Sequence, residues 1–236
     1  LHLTGAAYVF YNCSAGADIG ESTNMLFEIS GGSYMRCNDF YLDGGNSSPE
    51  LDRNNVFRVT GEGTRFVSAG SFLMGYGTRG NVFEVADKAT ASIYFPRLGQ
   101  HANTSGTGFR VTGGASLSVI HSLVLGSSDN VEKGGLFLHV LDGASVTTDS
   151  VQPLKLSSRN NEVLVSNGVV TVGTFLRIGD LEGATGNVVR ISGPQSVFQT
   201  GQSFDGLFGR GSANAFVVDG GANITNTMLS FGYTLN

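Results

Sequence analysis

Carboxylates and histidines are the side chains of this sequence that could carry acid–base chemistry. Cleavage of a glycosidic bond requires two carboxyl groups that face each other across the sugar. Asp180 with Glu182, and Asp205 with Asp219, are the pairs that could be nominated for that role. The histidines share no repeat position, and no local signature of a Ser-His-Asp triad occurs. We therefore assign no catalytic residue and predict that the chain is not an enzyme.

The two cysteines, Cys13 and Cys37, could form a disulfide. Each lies seven residues before the glycine that ends a similar motif, ADIG at Gly20 and YLDG at Gly44. Equal spacing predicts that the thiols stack across one strand spacing, within the range of a disulfide, although a buried reduced pair is the alternative. A disulfide implies an oxidising compartment. Two cysteines without nearby histidines cannot complete a zinc site, so we predict no metal and no cofactor.

Four Asn-x-Ser/Thr sequons are acceptor sequences for N-glycosylation. In a chain so rich in Asn and Ser, chance accounts for them about as well as glycosylation does. They begin at Asn12, Asn46, Asn103 and Asn223.

The composition is typical of an all-β protein with many tight turns. The 236 residues include 35 glycines, and only 14% of them are charged, against about 25% in an average protein. The net charge of −5 contains no run of Lys or Arg, so we predict no nucleic-acid partner. No apolar stretch approaches the roughly 18 residues that cross a bilayer, so we predict no membrane insertion. The first residue is Leu1 in place of Met, which indicates a processed form or a fragment.

One short pattern recurs eight times: a polar residue, usually Asn, then alternating apolar residues, then Gly, Asp or Asn. Because residues i and i+2 of a strand lie on the same face, each copy predicts a strand with one inward face. We call the first inward residue of each copy its anchor. The copies begin at about residues 24, 55, 81, 107, 135, 161, 187 and 214, and the anchors, on average 27 residues apart, are Phe27, Phe57, Phe83, Phe109, Leu138, Val163, Val189 and Phe216.

A weaker apolar pattern before Gly follows the anchors, as in FLMG ending at Gly75 and FLRIG ending at Gly179. Each repeat therefore holds two or three short strands, and no segment has the apolar period of a helix. Such a coil cannot bury its inner face alone, but coils stacked at about 4.8 Å bury one another. We predict a single domain over residues 1–236, a right-handed parallel β-helix, or β-solenoid, of about eight coils.

Stacking turns every repeat position into a column along the solenoid. The second residue after each anchor is β-branched in all eight copies, and the fourth is Gly, Asp or Asn, which tolerate the positive φ of a tight turn. The residues just after the anchors point outward, and four successive ones are Glu28, Arg58, Glu84 and Arg110. This alternation predicts stabilising charge pairs between adjacent coils; the alternative is a stripe that binds a charged ligand.

Asparagine occupies the column two residues before the anchor in five copies. Stacked Asn side chains can hydrogen-bond to one another and to the backbone of the turn, which predicts an internal ladder that fixes the register. The ladder residues are Asn55, Asn81, Asn161, Asn187 and Asn214.

The three-strand coil, the Asn ladder and the Gly-rich turns resemble the parallel β-helix of the pectin-lyase-like superfamily. The motif N-x-[FV]-x-[VI]-x-G, over about 200 of the residues, is more specifically similar to bacterial surface and autotransporter-passenger repeats. The enzymes of that superfamily use clustered Asp residues with Arg or Lys alongside, and this sequence has no such cluster. The resemblance therefore implies the fold and a bacterial cell-surface setting, and no catalytic site.

We expect a non-catalytic, secreted or surface-exposed rod that acts as a surface fibre or filament subunit. Strand-like segments at both ends of the sequence, LHLTGAAYVF and MLSFGYTL, predict open strand edges that favour end-to-end self-association. One alternative is a β-helix that binds or cleaves polysaccharide in an aromatic-lined groove. The other is an adhesin that binds a cell-surface partner through the insertion at residues 44–53.

Overall fold

The strands of this chain stack in parallel, each against the equivalent strand of the next repeat. The structure is a computed structural model that describes residues 2–5, 7–9, 23–42, 53–75, 77–100, 104–127, 134–149, 151–201 and 208–225. These residues form 22 strands in two sheets, without a helix, and all paired strands among them are parallel. The predicted all-β parallel β-solenoid is confirmed.

The first face of the solenoid is a nine-stranded sheet whose neighbouring strands come from successive repeats. All seven predicted pairs of anchors are Cα partners in it, from Phe27 with Phe57 to Val189 with Phe216. One further strand, which the repeat pattern did not include, places Leu3 against Ile29. The strands of this face are β1 (His2–Thr4), β3 (Leu26–Ser30), β6 (Val56–Thr60), β8 (Val82–Ala86), β10 (Gly108–Val111), β13 (Phe137–Leu141), β16 (Glu162–Ser166), β19 (Val188–Ser192) and β21 (Ala215–Asp219).

The second and third faces form one 13-stranded sheet, because β7 and β9 run without interruption from one face to the other. Strands of the second face are β2 (Ala7–Val9), β4 (Tyr34–Cys37), the first parts of β7 (Arg65–Met74) and β9 (Thr90–Leu98), β11 (Ser116–Val119), β14 (Ser145–Thr148), β17 (Val169–Val172), β20 (Val197–Thr200) and β22 (Asn223–Thr225). Strands of the third face are β5 (Phe40–Tyr41), the second parts of β7 and β9, β12 (Leu123–Leu125), β15 (Leu154–Leu156) and β18 (Leu176–Ile178).

The number of turns that contain all three faces is smaller than the number of strands in the first face. The third face has strands in six successive repeats, and a bridge from Ile178 to Phe208 extends it to a seventh. The described solenoid therefore has about seven three-faced turns, and successive turns are most often 26 residues apart.

The core follows from the alternation of apolar and polar residues in each strand. The anchors and the β-branched residues two positions later are fully buried in every copy from Phe57 and Val59 to Val189 and Ile191. Burying such a side chain contributes about 1.5–3 kcal/mol, so the two columns are a large part of the stability of the fold.

Aromatic side chains fill the N-terminal half of this core, and aliphatic ones fill most of the rest. The rings of Phe27, Phe57, Phe83 and Phe109 follow one another along the axis, with centroids 5.1, 5.2 and 5.7 Å apart. Three more phenylalanines pack against this column from the other faces, namely Phe40, Phe66 and Phe72. From Leu138 to Val189 the anchors are Leu and Val, and beyond them Phe198 and the last anchor, Phe216, are again aromatic.

The tight turn after each first-face strand has the predicted backbone conformation. All eight residues four positions after an anchor have positive φ, from +51° at Asp87 and Asn167 to +96° at Gly193. Gly, Asn and Asp adopt this left-handed region at the lowest cost, which explains why the column holds no other residue type.

Replacing Val85 or Val111 with Asp should destabilise the fold by several kcal/mol, because either carboxylate would be buried without a partner. Both side chains are fully buried. Thermal denaturation followed by circular dichroism measures the effect. Ser118→Asp is the matched control, since Ser118 lies at an exposed position of β11. Equal melting temperatures for Val85→Asp and Ser118→Asp would contradict the inward orientation of Val85.

Candidate functional site

The asparagine column joins successive turns by hydrogen bonds from backbone to side chain. The side-chain oxygen of each Asn accepts a bond from a backbone N–H of the preceding turn. Asn55, Asn81, Asn161 and Asn187 are at most 1% exposed, so these bonds satisfy donors that water cannot reach. The donors and acceptors are Met25 with Asn55 (3.0 Å), Asn55 with Asn81 (2.9 Å), Leu136 with Asn161 (3.0 Å), Asn161 with Asn187 (2.9 Å) and Asn187 with Asn214 (2.9 Å).

The column is interrupted in the middle of the solenoid. Thr107 takes the place of Asn in its copy, and its Oγ1 accepts the bond from the Asn81 N–H at 3.3 Å. In the next copy the same position is Leu136, which is fully buried and has no side-chain acceptor. A direct bond between side chains joins Asn187 Nδ2 to Asn214 Oδ1 at 3.0 Å. The Asn side chains therefore accept hydrogen bonds mainly from the backbone of the neighbouring turn.

The outward charges of the first face pair as the sequence predicts. Glu28 lies 3.4 Å from Arg58, which lies 2.6 Å from Glu84, and Glu84 lies 3.7 Å from Arg110. His2 extends the row, with its Nδ1 3.0 Å from Glu28. The hydrogen bond to Glu84 is the main cause that raises the pKa of Arg58. Because each charge faces its opposite, the row stabilises the sheet and leaves little net field for a charged ligand.

The carboxylates nominated from the sequence do not form a catalytic pair among the described residues. Asp180 accepts bonds from Lys155 and Arg177, whereas Glu182 is an exposed residue of a turn. Asp219 pairs with Arg190 at 2.6 Å on the first face, and Asp205 lies outside the described residues. No cluster of three or more His, Cys, Asp or Glu suited to a metal ion occurs in the described part of the chain.

The predicted disulfide and three of the sequons involve residues that the structure does not describe. Cys37 is 2% exposed, and its Sγ lies 3.8 Å from the carbonyl oxygen of Val67. Cys13 lies outside the described residues, as do Asn12, Asn46 and Asn103, so the disulfide and those sequons stay predictions. Asn223 is exposed in β22, where a glycan would meet solvent. Residues 44–52 of the predicted binding insertion are also outside the described ranges.

A groove of about 340 Å³ lies on the outside of the third face. Three of its lining residues, Arg97, Val124 and Lys155, belong to a column of outward residues from successive turns, which Arg177 continues beyond the lining. Val124 is the strand partner of Lys155, and Lys155 is the partner of Arg177. Arg97 comes before Val124 in this column, because the next residues, Leu98 and Leu125, are partners. We call this row, Arg97, Val124, Lys155 and Arg177, the cation column.

Val124 explains where the depression lies. It is the only short side chain of the cation column, and it stands between two long ones, Arg97 and Lys155. Ser122 and Gly126, from the same turn, add further small residues to the lining. The short Val124 side chain between two long ones leaves a gap in the row, which we call the notch.

Aromatic rings and one carboxylate hold the cations in place. The Arg97 guanidinium lies 4.8 Å from the ring centre of Phe95, and that of Arg177 lies 5.0 Å from Phe175. Asp180 binds two cations at once, with its oxygens 3.2 Å from Lys155 Nζ and 3.1 Å from an Arg177 nitrogen. These contacts favour particular orientations of the charged groups on this face.

Sequence reasoning missed this groove, although a signal for it exists. The weaker apolar patterns of the sequence include PRLG at Pro96, LKL at Leu154 and FLRIG ending at Gly179, and they were recognised by their apolar residues, which point inward. Each pattern also has a cation between two apolar residues, at the outward position. Aligning the outward residues of the third face, as was done for the first, would have revealed three cations in one column.

The inward residues of the last described turn are partly uncovered. Val218 occupies the column of Val85 and Ile191, yet 44% of its surface is exposed. Phe216 and Ile224 are half-buried and pack against the last residues of the core. We call Phe216, Val218 and Ile224 the end surface.

Comparison with family models, with curated proteins and with solved structures finds no match to this chain. Among the described residues, no helix has the length and apolar character that a membrane span requires. Function is therefore inferred from four features of the structure: the groove, the cation column, the row of charges on the first face and the end surface.

Replacing Asn187 with Ala should destabilise the protein by about 1–3 kcal/mol, because the buried N–H of Asn161 would lose its acceptor. Chemical denaturation of both proteins measures the difference. Asn223→Ala removes the same group from an exposed position and should change the stability little. If the two variants were equally stable, the bond across turns would not contribute as proposed.

Replacing Glu84 with Gln should cost about 1–2 kcal/mol, because a largely buried carboxylate that faces two arginines would lose its charge. Glu62→Gln is the matched control, since the Glu62–Lys88 pair is exposed on both sides and should contribute almost nothing. Unfolding free energies at low and high salt are the measurement. The row would be shown not to stabilise the sheet if Glu84→Gln behaved like Glu62→Gln.

Proposed function

We propose that this chain is a non-catalytic structural protein, a β-solenoid rod that acts as a surface fibre or filament subunit by stacking end to end. The observation that carries the proposal is the end surface. Val218 is 44% exposed, whereas its equivalents in the turns before it are fully buried. Apolar surface of this kind is stabilised when another strand covers it.

A second copy of the chain offers a strand of the right kind. β21 and β1 are the two outer strands of the same parallel sheet, and each has a described neighbour on one side only. Adding the β1 edge of one copy to the β21 edge of another would continue the sheet with the same parallel hydrogen bonds. Such a contact joins different surfaces of the two copies and continues the stack of strands along the solenoid axis, so its repetition yields a filament.

The row of outward charges on the first face supports a structural role. Its cations and carboxylates neutralise one another along the axis, which suits a rod better than a ligand site. The proposal includes a secreted or cell-surface location, for which the predicted Cys13–Cys37 disulfide is the main support. The likeness to pectin-lyase-like β-helices and to bacterial autotransporter repeats belongs to the same proposal and rests on the sequence motif.

A second candidate function is favoured by the groove on the third face. Binding of a carbohydrate, without cleavage, would suit a lining that combines cations, hydroxyl groups and an aromatic ring. A surface rod that also binds a polysaccharide would be an adhesive fibre, so the two functions are compatible.

Assembly is tested by sedimentation velocity and negative-stain electron microscopy of the wild type and of Val218→Asp. The wild type should form filaments with an axial repeat of roughly 40 Å, eight or nine strand spacings of about 4.8 Å. Val218→Asp should remain monomeric with an unchanged melting temperature, because the new charge would lie on the end surface, where water already reaches it.

Val151→Asp is the matched control, since Val151 is 68% exposed and lies outside the end surface. It should assemble like the wild type. A wild type that stays monomeric over the whole accessible concentration range would refute end-to-end stacking. So would a Val218→Asp protein that still forms filaments.

A further inference from the structure

The third face differs from the first in its balance of charges. Three of the four residues in the cation column are Arg or Lys, and Asp180 is the one carboxylate among the described residues that line the groove. On the first face, in contrast, cations and carboxylates alternate along the row from Glu28 to Arg110. The described lining of the groove therefore has two cations, Arg97 and Lys155, against one carboxylate, on a chain whose net charge is −5.

Arg97 has the geometry of a group that receives an anion. Its guanidinium lies 4.8 Å from the ring centre of Phe95, and none of the ion pairs between described residues includes it. The Arg97 side chain stands at an exposed position of β9, where a ligand in solvent can reach it. A planar, pre-oriented guanidinium binds carboxylate and sulfate oxygens in pairs of charge-assisted hydrogen bonds.

Lys155 supplies positive charge at the other end of the groove, and its side chain is 26% exposed. Its Nζ shares the carboxylate of Asp180 with Arg177, which follows Lys155 in the cation column but does not line the groove. Asp180 therefore positions Lys155 while it also binds a second cation.

The spacing of the cations favours an extended ligand. Arg97 and Lys155 lie two strand spacings apart along the axis, or about 10 Å, with the notch at Val124 between them. Ser122, Ser127 and Gln100 add hydroxyl and amide groups to the lining. A ligand that matches this surface has anionic groups at intervals, hydroxyl groups that hydrogen-bond, and apolar ring faces that pack on Val124 and Phe95.

We propose that the groove of the third face binds an anionic polysaccharide, a sugar chain that carries sulfate or carboxylate groups. The chain lies along the rod axis, its anions face Arg97 and Lys155, and a sugar ring fills the notch. Binding involves no covalent step. The proposal does not depend on end-to-end stacking, because the groove lies on the side of the solenoid and the end surface at its terminal turn.

Isothermal titration of the Val218→Asp protein with dextran sulfate and with uncharged dextran tests the proposal. This background separates binding from assembly, and the wild type should give the same dissociation constant. Dextran sulfate should bind with an affinity that falls as salt is added, because counterions screen the charges. Uncharged dextran should not bind, and inorganic sulfate should compete only at far higher concentration.

Four variants, at two groove residues and one surface residue, locate the site. Arg97→Ala should weaken binding by roughly tenfold or more, since it removes a charge-assisted contact, and Arg97→Lys should recover part of the loss. Val124→Phe fills the notch without changing the charge and should also abolish tight binding. Arg79→Ala removes one exposed cation from a turn elsewhere and should leave binding unchanged.

Several results would overturn the proposal. Absence of binding to dextran sulfate would do so, as would equal binding of dextran and dextran sulfate. Wild-type affinity in Arg97→Ala or in Val124→Phe, with melting temperatures unchanged, would show that the groove is not the site. Equal losses in Arg97→Ala and Arg79→Ala would show that only the overall charge of the surface matters.

Discussion

The hydrogen bonds between turns constrain everything else in this structure. Each inner strand of the first face pairs with the strand one repeat before and with the strand one repeat after it. The parallel register is therefore set once and must hold from end to end. A residue that faces inward in one turn lies directly above the inward residue of the next, so each position in the repeat must satisfy the same physical demand many times over.

Those demands differ from column to column, and the residue types follow them. Inward positions must fill space without polar atoms, so the anchors are Phe, Leu or Val. The turn position must take positive φ, so it is Gly, Asp or Asn. The position before the strand contains a buried N–H that needs an acceptor, and Asn supplies one from the next turn. Outward positions have no such common demand, and their residues vary.

This difference explains how much the sequence could reveal. Register and burial of the first face could be predicted residue by residue, because strands of four or five residues repeat with a clear alternation. On the third face the strands are only two or three residues long in most turns, too short for periodicity to define a face. β1 lies in a segment that the sequence predicts to be strand-like, but its three residues hold too little pattern to assign its register in the first face. Arg97 and Lys155 were missed because an outward column has no repeated residue type, so their proximity appears only once the turns are stacked.

The interruption of the asparagine column at Leu136 has a consequence for cooperativity. On the N-terminal side, turns with aromatic cores are linked by Asn55, Asn81 and Thr107, and on the C-terminal side Asn161, Asn187 and Asn214 link turns with aliphatic cores. Among the described residues, strand pairing, packing and an exposed hydrogen bond from Thr112 Oγ1 to Asp142 Oδ2 cross the boundary between Thr107 and Leu136, but the asparagine column does not. In a solenoid, where each turn contacts only its neighbours, local opening starts at the weakest junction. We therefore expect two blocks that open separately in hydrogen exchange, and a filament built from this chain would have one compliant joint within every subunit.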